Sequence, residues 1–229
     1  MDLHLSDKHI LITGGSKGIG LACARGFLAE GARVSLVSRD SANLEAARAQ
    51  LQAAFPAERI HTVAANLRDA TAALVALNAA EAAFGPVDVL VNSAGAAKRT
   101  PASELTPEAF ADAMQAKYFT TIHMLTPCIQ RMVARGQGAV VNVVGNGGKV
   151  ASPIHLPGGA ANAALMLVSA GMAAALLGAR QPAAALEAHE RAHVASNAKT
   201  LASGRPKPLG DDSLKPLAVI PAALATQLD

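Results

Sequence analysis

His9-Ile-Leu-Ile-Thr-Gly-Gly-Ser-Lys-Gly-Ile-Gly20 carries a short β-rich run straight into a glycine turn, and the turn opens an apolar-periodic segment ending near Gly31. The immediate succession of strand, turn and helix gives the glycines their meaning, because a lone glycine pattern is weak evidence. Glycines here allow a tight turn and a close backbone approach to a pyrophosphate, whose charge would rest on the free N–H groups of the helix N-terminus.

Outward from this turn, strands and helices alternate. Residues 33–38 read as a second strand and residues 41–54 as a helix with Ser41 as N-cap. Residues 59–65 form a third strand, and residues 70–84 a helix closed by the breaker Gly85-Pro86. The fourth strand, 87–92, is apolar on both faces, as a parallel sheet requires. Residues 107–135 predict one long helical stretch, with Thr106 as N-cap, Pro107 at the first helical position and Pro127 a place for a kink. A fifth strand at 138–144, a glycine-rich loop at 145–159 and an apolar helix at 160–177 complete the alternation. The pattern predicts an α/β fold, a Rossmann-like doubly wound parallel sheet in a single domain.

After Gly178 the alternation stops. Residues 179–229 are expected to be a divergent or poorly ordered segment outside the nucleotide-binding domain of residues 1–178. Their Ala, Arg, Pro and His content has the look of GC-rich DNA read out of frame, so a damaged gene product stays open.

Composition narrows the function classes. Hydrophobic residues are 51% and charged residues 16%, enough apolar material for one large core. The net charge of +3 comes without a basic stripe, and aromatics are only 3%, which argues against nucleic-acid binding. Cys23 and Cys128 form no CxxC pair and read as buried, reduced thiols of a cytoplasmic protein. No metal site is expected. Residues 160–179 carry no charge, but Ala, Gly, Asn162 and Ser169 make their transfer into lipid weak. A buried or interface helix is expected there, and no membrane span.

The TGxxxGxG spacing, with Gly14, Ser16, Lys17, Gly18, Ile19 and Gly20, resembles the short-chain dehydrogenase/reductase family rather than the GxGxxG of other Rossmann enzymes. Asn92-Ser-Ala-Gly95 is similar to that family's NAG signature, which implies that Asn92, Ala94 and Gly95 lie beside the cofactor. The resemblance extends from about Leu5 to Leu177. It implies a nicotinamide cofactor, a small-molecule carbonyl or hydroxyl substrate, and a homo-oligomer assembled through the 107–135 and 160–177 helices.

The end of the second strand bears on which cofactor. An NAD-selective site usually places a carboxylate there to hold the ribose hydroxyls. This chain has Ser38 and Arg39, with Lys17 on the same side, a set suited to a 2′-phosphate and therefore to NADP(H). Asn66 and Leu67 follow the third strand, where the family typically has an Asp at the adenine edge.

The resemblance breaks at the catalytic positions. Aligned by local pattern, the family's Ser falls on Gly145, its Tyr on Gly158, its Lys on Asn162 and its relay Asn on Lys117. Some relatives similarly carry Gly-Asn after the fifth strand and Ala-Ala-Asn-Ala-Ala-Leu on the next helix, and some have a Tyr near the place of His155. The polar candidates are His155, Lys149, Lys117 and Asn146, with His155 the first choice as proton donor. Three readings stand: an oxidoreductase with a non-standard active site, a non-catalytic NADP-binding sensor or partner subunit, or the damaged gene product.

Overall fold

The computed structural model describes residues 3–96 and 98–178. These fall into two compact units, residues 3–166 and 167–178. The first holds the whole sheet; the second is the closing part of the last helix. The expected segment 179–229 lies outside the described residues.

Five strands form one parallel sheet: β1 (His9–Thr13), β2 (Arg33–Ser38), β3 (Ile60–Ala64), β4 (Val89–Asn92) and β5 (Ala139–Asn142), in the order β3-β2-β1-β4-β5. Chain order reverses at β1, so the crevice at the C-terminal ends of β1 and β4 is the topological switch point where ligands of such sheets bind. Every β1 residue is buried, and Ile10, Ile12, Val34 and Leu36 pack with Leu44 and Leu51 in the core. His9 is buried too, its Nδ1–H donating to the Gly85 carbonyl at 2.8 Å and its Nε2 facing Ser35 Oγ at 2.8 Å.

The helices are α1 (Gly18–Ala29), α2 (Ser41–Gln52), α3 (Ala70–Phe84), α4 (Pro107–Ala113), α5 (Thr120–Arg135) and α6 (Leu156–Gly178). Four sequence expectations shift. The N-cap of α2 is Asp40, whose carboxylate accepts the Asn43 N–H at 2.8 Å, and Ser41 is the first helical residue. The long stretch 107–135 is divided: a π-helical turn, Met114–Phe119, joins α4 to α5. Thr120 Oγ1 donates to the Gln115 carbonyl at 2.9 Å, occupying an acceptor in that widened turn. The last helix starts at Leu156, a turn before residue 160. Cys23 is half-buried, whereas Cys128 is buried as expected, and burial pushes its thiol up to about 12.

The helix Leu156–Leu176 is long and apolar enough to cross a membrane by length and composition, and 17% of its apolar window is buried within the chain. A buried core helix is therefore not what forms.

Candidate functional site

Three glycines build the turn after β1, each for a separate reason. Gly14 has φ +67°, and a Cβ there would lie 2.9 Å from the Ala94 backbone. Gly18 has φ +53° with open space around it, so its need is conformational alone. Gly20 has no room for a Cβ, which would press into the Gly14 carbonyl. Lys17 is the N-cap residue of α1 and has no side-chain capping bond, so its side chain leaves the first-turn amides uncapped. The side chain of Ile19 is 60% exposed.

Hydrogen bonds fix the strand ends around this turn. Thr13 Oγ1 accepts the N–H groups of Ser93 (3.1 Å) and Ala94 (3.2 Å), holding the Asn92–Gly95 segment against β1. Asn92 accepts from Thr13 Oγ1 at 3.4 Å and donates through Nδ2 to Asn142 Oδ1 at 2.9 Å. A polar tie thus crosses β1, β4 and β5 at their C-terminal ends.

A cavity of about 140 Å³ opens beside the turn. Gly14, Ser38, Arg39, Asn66, Leu67, Ala94 and Gly95 line it, all residues singled out from the sequence. Ser16 Oγ donates to Ser38 Oγ at 3.0 Å, so the first turn is joined to the end of β2. Arg68 also lines this cavity and was not foreseen. A signal existed: it follows Asn66-Leu67, and β3 lies next to β2. Arg39 and Arg68 thus bring two arginines to one cavity, and among the described residues no carboxylate lines it.

A second cavity of about 430 Å³ is lined by Lys117, Asn146, His155 and Asn162, with Lys98, Ser152 and the glycines at 145, 147, 158 and 159. The fold therefore brings Lys117, Asn146 and His155 together from three separate segments. Lys149, the fourth candidate, follows the 3₁₀ turn Asn146–Gly148 and does not line this cavity. His155 Nδ1 lies 3.2 Å from the Lys98 carbonyl, and Thr100 N–H donates to the Ile154 carbonyl at 2.9 Å. These contacts join the loop after β4 to the loop before α6. A carbonyl only accepts, so Nδ1 carries the hydrogen and a neutral His155 has a bare Nε2.

Lys117 projects from the π-helical turn and is half-buried; burial holds its ammonium below the usual lysine range. Its stem runs between the two cavities. A Cβ on Gly95 would lie 3.7 Å from Lys117 Cγ, and a Cβ on Gly158 would lie 3.6 Å from its Cε. At Gly145 the neighbour is Asn162, whose Nδ2 would be 2.9 Å from an added Cβ. Tyr118 stacks edge-on against Phe119 at 5.2 Å and lines neither cavity.

The short chain dehydrogenase family matches residues 8–180. D-threitol dehydrogenase of Mycolicibacterium smegmatis is 35% identical over 155 residues, 68% of this chain and 59% of that protein. Gluconate 5-dehydrogenase of Gluconobacter oxydans is 32% identical, covering 74% of this chain and 65% of its own. The chain thus spans less than two thirds of the length of these relatives. Among solved structures, L-sorbose reductase from Gluconobacter frateurii, complexed with NADPH and L-sorbose, aligns with TM-score 0.72 at 29% identity, over 77% of this chain and 67% of that one. An NADPH-bound short chain oxidoreductase from Pseudomonas aeruginosa, described as containing an atypical catalytic center, aligns with TM-score 0.70 at 30% identity, over 73% and 65%. Sequence, sheet topology and cradle agree: the chain belongs to the short chain dehydrogenase family.

Proposed function

We propose that the protein is a cytoplasmic NADP(H)-dependent oxidoreductase interconverting a carbonyl and an alcohol at a non-standard active site, with Lys117 handling the proton. One observation carries this reading. The Lys117 stem passes from Gly95, at the edge of the glycine-cradle cavity, to Gly158, in the wall of the larger cavity. A group so placed reaches a substrate bound beside the cofactor.

The residues fit the dinucleotide. The uncapped first turn of α1 and Lys17 suit its pyrophosphate. Arg39 and Arg68 flank the cavity where an adenosine 2′-phosphate belongs, and Ser38 replaces the carboxylate that would repel it. When bound, the cofactor supplies or accepts the hydride. In reduction, the Lys117 ammonium donates a hydrogen bond to the carbonyl oxygen and polarises the carbon. It then transfers that proton as the carbon gains hydride, leaving a neutral amine that water reprotonates. In oxidation the amine takes the hydroxyl proton. Desolvation brings the lysine closer to the range where both forms are accessible.

Lys117 is preferred to His155 as the donor because its stem touches Gly95 of the glycine-cradle cavity as well as Gly158, whereas His155 lines the larger cavity alone. Asn146 and Asn162 supply amide donors and acceptors that orient the substrate. Lys149 takes no part in this scheme.

NADPH fluorescence on binding, followed by turnover with a panel of aldehydes, ketones and alcohols, tests the proposal. Oxidation of NADPH by a carbonyl substrate supports it. Tight NADPH binding without turnover would instead favour a non-catalytic NADP-binding protein, the reading to which glycine at position 158 points.

A further inference from the structure

Among the described residues, every ionisable side chain lining the larger cavity is basic: Lys98, Lys117 and His155. The chain as a whole is nearly balanced, with 20 Lys and Arg against 17 Asp and Glu. Among the described residues neither lysine ammonium has an ion-pair or hydrogen-bond partner. A half-buried ammonium without a counter-charge has lost part of its hydration and gained nothing in return. An anion entering the cavity relieves that deficit.

We propose that the substrate of this site is anionic: a carbonyl or hydroxyl compound bearing a carboxylate or phosphate that Lys98 recognises. The inference rests on the oxidoreductase reading above and specifies its substrate class. The two lysines divide the work by position. Lys117 stands beside the cofactor cavity and meets the reacting oxygen. Lys98 is exposed at the mouth, on a loop held to the opposite wall by the His155–Lys98 and Thr100–Ile154 bonds, and meets the remote charge. Asn146 and Ser152 add neutral donors that an anion can use. The substrate's charge also favours the protonated form of Lys117, so binding of an anion readies the donor for reduction.

The test uses the full chain saturated with NADPH and matched pairs of ligands: phenylpyruvate with its methyl ester, and dihydroxyacetone phosphate with dihydroxyacetone. Binding is read by calorimetry and turnover by NADPH absorbance, in the parent and in Lys98→Gln and Lys98→Arg. The charged member of at least one pair should bind about tenfold or more tightly than its neutral partner, as expected for an added charge-assisted contact. Lys98→Gln should shrink that ratio and Lys98→Arg should keep it. The pair with the larger ratio assigns carboxylate or phosphate as the recognised group. Equal or tighter binding of both neutral members, or a ratio unchanged in Lys98→Gln, overturns the inference. A charge preference in binding with no NADPH oxidation would overturn the oxidoreductase reading and leave anion recognition standing. Turnover of both members with equal binding would do the reverse.

Discussion

Lys117→Met tests the proposed chemistry most directly, because methionine keeps most of the unbranched stem and removes the ammonium. The stem contacts beside Gly95 and Gly158, near 3.7 and 3.6 Å from the positions a Cβ would take, survive in part. The fold should therefore hold. Removing a half-buried cation with no partner also removes a desolvation penalty, so thermal stability at neutral pH should stay level or rise. The sign agrees with the linkage argument. The folded-state pKa lies below the ordinary lysine value, so the unfolded chain binds more protons and the Lys117 contribution to stability improves as pH rises toward 10.5. Catalysis should move the other way. Loss of a general acid lowers kcat by about 10²- to 10⁴-fold, or about 2.7 to 5.4 kcal/mol of barrier. NADPH affinity, read by fluorescence, should be nearly unchanged, because the cradle lies on the Gly95 side of the stem. In the parent, reduction should fall as pH rises through the lowered lysine pKa. A Lys117→Met enzyme within about threefold of parental kcat would refute the assignment, since that loss is far below the scale of acid catalysis. His155→Ala, measured alongside, should lose far less.

Other expectations are more local. Arg39→Asp should abolish or reverse a preference for NADPH over NADH that is about tenfold or more in the parent; equal affinities in the parent would remove the basis for NADP(H). Gly20→Ala forces a methyl into the Gly14 carbonyl and should lower stability by about 1–3 kcal/mol with loss of NADPH binding, as seen in thermal melts and titration. Gly18→Ala meets open space and should cost about 1–2 kcal/mol of left-handed strain; no loss of stability in the same melts would count against the need for a left-handed backbone there. His9, held neutral by burial, should resist protonation below 6.5; stability should then fall as pH drops below that value, and a His9 imidazole titrating at or above 6.5 by NMR would contradict this. Apolar Val133 and Leu167 are 52% and 75% exposed, and we expect the 107–135 and 160–177 helices to pair copies of the chain; a monomer by light scattering at working concentrations would exclude that.

The legible parts of the fold were those written in local chemistry. The glycine turn directly after an apolar strand marks β1 and α1, and Gly85-Pro86 ends α3 at Phe84 because neither residue continues a helix. The less legible parts turn on small energetic differences. Asp40 and Ser41 are both good N-caps, and only the extended backbone at Asp40, φ −101° and ψ 114°, decides between them. A π-helical turn adds less than one residue per turn to the apolar period, so residues 114–119 read as ordinary helix. Leu156-Pro-Gly-Gly159 has the composition of a loop, yet proline in a first turn lacks only an N–H that has no helical partner anyway.

The catalytic region shows why position-by-position reading runs out. Against the family pattern, Gly145, Gly158, Asn162 and Lys117 look like four separate departures. In space they form two pairs. Asn162 Nδ2 stands 2.9 Å from where a Cβ on Gly145 would be, so any side chain at 145 requires Asn162 to move. Glycine at 145 is thus tied to asparagine at 162. Lys117 Cε stands 3.6 Å from the corresponding point at Gly158, ordinary contact, so the lysine stem covers the face of α6 that glycine leaves bare. Larger groups stand opposite smaller ones at each pair, as volume-conserving exchange in a packed wall requires. In each pair a larger side chain thus lies against a glycine: an amide at one, a lysine stem at the other. This pairing depends on distances between residues 17 and 41 positions apart that no local pattern encodes.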